Sequence, residues 1–170
     1  IIAIGADPIR LNIPGADSDK VVLSTELLSK GLKGQKIVFI GGGMVGCEEG
    51  INAAKNEGKD VTIIEIADKY GHGAPYVHLL GINKELEKLD NLKIMLKSTA
   101  TEITEKGVIV KSEDGTVQEL EADTVVMCVG MKSRADEAWA LYGASNNAII
   151  VGDAKKPARM NEAVTDGFFA

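Results

Sequence analysis

Residues 36–65 read KIVFIGGGMVGCEEGINAAKNEGKDVTIIE, and this stretch decides the fold. After Lys36 comes Ile37-Val38-Phe39-Ile40, an apolar run with no alternation. A strand covered on both faces has this composition, as in a parallel sheet buried between two layers. Gly41-Gly42-Gly43 stop the strand. A helical stretch follows to about Asn56, and Gly58 ends it at a C-cap position. Val61-Thr62-Ile63-Ile64 is a second buried strand. Together they form a β-turn-α-turn-β unit of about 30 residues with a right-handed crossover.

The turn carries the chemistry. Gly41-Gly42-Gly43-Met44-Val45-Gly46 is G-x-G-x-x-G, placed after a strand and before a helix. Gly41 permits the tight turn, Gly43 lets a diphosphate approach the main chain, and Gly46 lets the helix pack closely on the strand. Unpaired N–H groups and the positive end of the helix dipole then meet the phosphates. Glu65 follows Gly46 by 19 residues, at the end of the second strand. An acid there accepts hydrogen bonds from the adenosine ribose. It also repels a 2′-phosphate, and residues 66–74 hold no Arg and only one Lys, Lys69, so the pattern predicts NAD in preference to NADP. A glycine turn that binds nothing and a solvated acid at a strand end are the bland alternatives.

Outward from this unit the chain reads as α/β. Ile1 to Ile4 is expected to be a short buried strand. Residues 7–20, with Pro8, Pro14 and Gly15, are expected to be loop, and 24–30 a short helix capped by Ser24. Residues 66–74 read as loop and 75–89 as a helix. Leu92 to Leu96 is a further strand, after which the pattern alternates. Residues 99–104, 108–111 and 116–120 predict three antiparallel strands, with Glu113-Asp114-Gly115 as a hairpin turn. Thr124 to Val129 is another buried strand, closed by Gly130. A helix over 135–142, a strand over 149–151 and a helix from Asn161 complete the reading. The expected architecture is a Rossmann-like parallel sheet with a three-stranded antiparallel insert.

The 170 residues carry 19 Lys+Arg and 25 Asp+Glu, a net charge of -6. With no cationic cluster, this argues against nucleic acid and anionic membranes as partners. No apolar run reaches the ~18 residues of a membrane span. Cys47 and Cys128 have neither disulfide nor metal spacing, which fits a reducing cytoplasm. Cys47 falls in the first turn of the fingerprint helix, where a thiol can be activated, but a packing role is favoured; Cys128 is expected in the core. His72 and His78 lack a third ligand and read as surface residues. Glu48 and Glu49 suit the positive end of the helix. Trp139 is expected to pack. No catalytic residue and no metal ligand is assigned. The apolar start and the end on Phe168-Phe169-Ala170 suggest an excised fragment.

The stretch 41–65 resembles the NAD-binding domain of flavoproteins of the pyridine nucleotide-disulfide oxidoreductase superfamily. Val45-Gly46-Cys47-Glu48 most resembles the NADH:flavin oxidoreductases of the old yellow enzyme type, which include 2-enoate reductase and 2,4-dienoyl-CoA reductase. "IIAIGADP" is similar to the strand that closes the first FAD-domain segment, "TVVMCVG" to the strand and glycine near the nicotinamide, and "IIVGDA" to the point of re-entry into the FAD domain. The resemblance implies cofactor contacts by Gly41, Gly42, Gly43, Met44, Val45, Gly46 and Glu65. It adds Gly130, Gly152 and Asp153, the last against FAD. It implies an FAD-domain stub and linker at 1–34, the NAD domain at 35–130 and a return segment at 131–170. The parent would use NADH and FAD, with FMN and an iron–sulfur cluster in its N-terminal part. The implied partners are the rest of its own chain and a small-molecule substrate. Gly50 departs from the family's alanine and should weaken its helix by about 1 kcal/mol. Three readings stay open: an NADH-dependent module for reducing an enoate-type C=C bond, a non-catalytic ADP- or NAD-binding domain, and the NAD domain of a disulfide reductase or NADH oxidase.

Overall fold

The computed structural model describes residues 1–170. In chain order the strands are β1 (Ala6–Pro8), β2 (Val21–Leu23), β3 (Lys36–Ile40), β4 (Asp60–Ile64), β5 (Leu92–Met95), β6 (Ser98–Ile103), β7 (Gly107–Ser112), β8 (Val117–Glu121), β9 (Thr124–Met127) and β10 (Met131–Ser133). The helices are α1 (Leu27–Lys30), α2 (Met44–Asn56), α3 (Tyr76–Leu86), α4 (Ala135–Tyr142) and α5 (Met160–Phe168). None is long and apolar enough to cross a membrane. By contact the chain divides into Arg10–Val129 and a unit made of Ile1–Ile9 with Gly130–Ala170.

The larger unit is built on a parallel five-stranded sheet in the order β2-β9-β3-β4-β5. The apolar composition of β3 follows from its position between β9 and β4 and between two layers. Ile37 and Phe39 point to one face, where they pack with Ala53 and Ala54 of α2 and with Val61, Ile63 and Val126. Val38 and Ile40 point to the other, against Val108 and Val110 of the antiparallel sheet β6-β7-β8. Period-2 geometry thus places alternate residues of one apolar run in two different cores. The parallel sheet and the three-stranded insert are the architecture expected from the sequence. Gly50 has a packing reason: it is buried, and a Cβ there would lie 2.8 Å from Ile63 Cδ1. The helix propensity lost at this position lets α2 lie closer to β4.

Several local expectations are corrected. Val21–Leu23, left unassigned by the sequence, is a strand beside β9. Ser24 does not cap a helix. The chain enters a 3₁₀ turn over Ser24–Glu26, and Glu26 Oε2 accepts the Leu23 N–H at 3.1 Å. The last parallel strand ends at Met127, two residues before Val129.

In the smaller unit, β1 pairs antiparallel with β10 inside what was expected to be loop, and Arg134 forks onto Asp7. The strands expected at 1–4 and 149–151 reduce to one parallel bridge, Ile2 with Ile150. Its two bonds are Ile2 N–H to Ile149 O and Val151 N–H to Ile2 O. Trp139 does not pack into a core. It is 62% exposed on α4, with its ring centroid 5.0 Å from that of Tyr142. The helical spacing is real, but the face it marks is uncovered.

Candidate functional site

The fingerprint sits where β3 turns into α2. Gly41 has φ +106, a region L side chains rarely adopt, and a Cβ there would strike the main chain of Cys128. Its N–H donates to Ile64 O at 2.8 Å, which ties the turn to the neighbouring strand. At Gly46 a Cβ would run into the Gly41 carbonyl oxygen. Gly41 and Gly46 therefore serve the fold.

Gly42 is held on every side. Its N–H donates to Glu65 Oε2 at 2.6 Å, and its carbonyl accepts from Gly71 N–H at 2.7 Å and Cys47 Sγ at 3.3 Å. Glu65 is 8% exposed, and its other oxygen accepts the Ala67 N–H at 2.8 Å. An ionised carboxylate has about four acceptor positions, so two main-chain donors leave room for the two hydroxyls of a ribose.

Gly43 differs from its neighbours. A Cβ built on it meets no atom closer than the His72 carbonyl oxygen at 4.0 Å. It is the N-cap of α2, and the N–H groups of Met44, Val45 and Gly46 find no acceptor within the chain. Open space, unpaired donors and the positive helix end meet at one point. Such a point can receive an anion, and the buried carboxylate of Glu65 stands beside the same turn, on Gly42 N–H. Glu65, Ala67 and Gly71 all come from the loop that follows β4. Only Glu65 was legible from spacing. The contributions of Ala67 and Gly71 are main-chain donors, which no side-chain pattern announces.

Val45 is 46% exposed on the first turn of α2. Gly130, Gly152 and Asp153 lie in the smaller unit. Gly130 O accepts the Ile9 N–H, Gly152 N–H donates to Asp166 Oδ2 at 3.2 Å, and Asp153 Oδ1 accepts the Ala158 N–H at 3.2 Å. Glu48 Oε1 lies 2.8 Å from His78 Nε2 on α3, and His72 is exposed. Glu49 is half-buried, and desolvation, then Glu48 and Glu57, raise its carboxyl above the ordinary value. No three His, Cys, Asp or Glu side chains converge to hold a metal.

Neither thiol is activated. Burial pushes Cys47 up to about 11 and Cys128 to about 12, from an ordinary 9.0. The helix end does not win at Cys47 because its thiol is buried and already donates to Gly42 O. A raised thiol pKa means the folded chain keeps protons that the unfolded chain releases above pH 9. Stability is level below pH 9 and falls as the pH climbs toward 11–12. Urea midpoints are expected to agree at pH 7 and 8 and to drop by pH 10, and iodoacetamide at pH 8 should modify neither cysteine unless denaturant is present. Rapid alkylation of the folded chain at pH 8 would contradict the burial.

Residues 1–156 match the family described as pyridine nucleotide-disulphide oxidoreductase. The chain is 30% identical over 172 residues to cinnamate reductase of Clostridium sporogenes, covering 99% of this chain and 25% of that protein. It is 29% identical over 202 residues to a metal reductase of Desulforamulus reducens, covering 99% and 29%. A solved structure of 2-naphthoyl-CoA reductase with 2-naphthoyl-CoA superposes with a TM-score of 0.88 at 30% identity, over 98% of this chain and 25% of that one. The chain thus spans between a quarter and a third of these curated relatives.

Proposed function

Because the chain belongs to the pyridine nucleotide-disulphide oxidoreductase family, we propose that it is the NADH-binding module of a flavin-dependent oxidoreductase, delivering hydride from NADH to FAD. The observation that carries this reading is the open cradle at Gly43 beside the buried carboxylate of Glu65. The main-chain donors of α2 hold the diphosphate, and Glu65 takes the ribose hydroxyls and excludes a 2′-phosphate. Hydride chemistry belongs to the cofactors, and the protein supplies binding and orientation. Gly130, Gly152 and Asp153 are proposed to serve the flavin side, completed by the rest of the same chain.

The finer reading concerns the parent's substrate. The names cinnamate reductase and 2-naphthoyl-CoA reductase both denote unsaturated acyl compounds. They support reduction of an enoate-type C=C bond, in an old yellow enzyme-like parent with FMN and an iron–sulfur cluster outside residues 1–170, working in the reducing cytoplasm. Fluorescence titration of the chain with NADH and NADPH tests the core of the proposal. NADH is expected to bind at least about tenfold tighter. No binding of either, or tighter NADPH, defeats it. A second reading has one specific support: the open turn at Gly43 and the carboxylate of Glu65 would serve only the ADP half of the cofactor. A module that only holds ADP would bind ADP as well as NADH, and its parent's flavin would keep its colour when NADH is added.

A further inference from the structure

Between β4 and α3 the chain passes in front of the cradle. Residues 71–74 close a four-residue turn, with Ala74 N–H donating to Gly71 O at 3.0 Å. Gly73, its third residue, has φ +83, and Lys97 is the only non-glycine at positive φ, so His72 is negative. Negative φ at the second position with about +80° at the third defines a type II turn. The central peptide of this turn joins His72 to Gly73, and its carbonyl oxygen is the atom 4.0 Å from the missing Cβ of Gly43.

That oxygen borders the space a diphosphate needs, and its partial charge has the wrong sign for an anion. The N–H on the opposite side of the same peptide, that of Gly73, has no acceptor in the chain. Types I and II differ mainly by turning the central peptide over, which exchanges the directions of its C=O and N–H. The leading end of the turn is fixed. Gly71 N–H is bonded to Gly42 O at 2.7 Å, and Tyr70 Oη donates to Asn83 Oδ1 at 3.0 Å. A change can therefore be confined to the one peptide.

We propose that a bound diphosphate turns the His72–Gly73 peptide from type II to type I, so that the Gly73 N–H donates to a phosphate oxygen where the His72 carbonyl stood. Gly73 thereby becomes a ligand-binding residue of the cradle, added to the donors of α2. The inference rests on the dinucleotide reading above. It has a consequence opposite to the usual effect of altering a glycine in a binding loop. A Cβ at Gly73 meets nothing within 4 Å, so alanine there is opposed only by the positive φ of the type II form. Type I has no such penalty. Gly73→Ala therefore shifts the free chain toward the binding form.

The test uses the 170-residue chain with ADP and NADH. Gly73→Ala is expected to bind both about three- to tenfold tighter than wild type. By NMR, the free wild-type chain should show the short His72 Hα to Gly73 H–N contact of type II, replaced at ADP saturation by the short His72 H–N to Gly73 H–N contact of type I. The wild-type measurement stands even if the variant folds poorly. Persistence of the free-state contact at saturation, or an equal or weaker affinity in a folded variant, overturns the peptide flip and leaves the dinucleotide reading intact. Failure of the wild type to bind NADH or ADP overturns both.

Discussion

Gly43→Ala is expected to lower NADH affinity by about a hundredfold or more, which is roughly 2.7 kcal/mol, while the thermal midpoint stays within a few degrees of wild type. The two halves of this result have separate causes. Gly43 has φ -66 and ψ -172, extended backbone open to any residue, and its missing Cβ points into space. Alanine at an N-cap in place of glycine costs no more than about 1 kcal/mol. The same methyl group, however, fills the place where a phosphate oxygen must come within reach of the N–H groups of α2. Gly46→Ala is the contrast. Its Cβ meets the Gly41 carbonyl and approaches Cys128 Cβ at 3.4 Å, so α2 must move off the sheet. That change is expected to destabilise by roughly 1–3 kcal/mol as well as to impair binding. Differential scanning fluorimetry together with NADH titration separates the two outcomes. A Gly43→Ala chain that folds and binds NADH normally would remove the diphosphate from this turn.

The division of labour among the glycines shows what sequence reveals and what it hides. The spacing of Gly41, Gly43 and Gly46 after four apolar residues identified the turn because sterics leave few other uses for that pattern. Long-range burial was legible for the same reason: Ile37 to Ile40 is apolar throughout and 61–64 is apolar except for Thr62, and both lie in the covered sheet. What escaped was structure fixed by pairing alone. Val21–Leu23 is only three residues long, too short to show a period, and it becomes β2 where β9 offers an edge and the core takes Val21. Ile1 to Ile4 has the right composition and makes one bridge. Trp139 has helical spacing and an exposed face. Residues 66–74 have the composition of a connecting loop, yet their main chain supplies donors to Glu65 and Gly42 and a wall beside Gly43. Backbone groups are common to every residue, so no residue pattern marks their function.

Glu65 is the second position where a single change separates fold from function. In the free chain its carboxylate is a brace, with one oxygen on Gly42 N–H and the other on Ala67 N–H. Glutamine is the same size but has one acceptor oxygen and an amide that donates. Whichever way it turns, one of the two N–H groups faces a donor, and the Gly42 contact is buried. With its oxygen kept on the buried Gly42 N–H, the part-buried Ala67 N–H loses its acceptor, so Glu65→Gln is expected to lower stability by roughly 1 kcal/mol, the low end for an unpaired donor. The effect on selectivity comes from charge and has a different size. A 2′-phosphate about 4 Å from a carboxylate is opposed by roughly 4 kcal/mol at the effective dielectric of a protein surface, and by less once salt screens it. Removing the charge deletes that opposition, while NADH loses its ribose acceptor and weakens about tenfold. The preference for NADH over NADPH is therefore expected to collapse toward one, by loss on one side and relief on the other. Paired titrations with both nucleotides at two salt concentrations measure it, because the wild-type preference should shrink with added salt and that of Glu65→Gln should not. A glutamine chain that is destabilised but still selects NADH as strongly as wild type would make Glu65 a brace for the turn and nothing more.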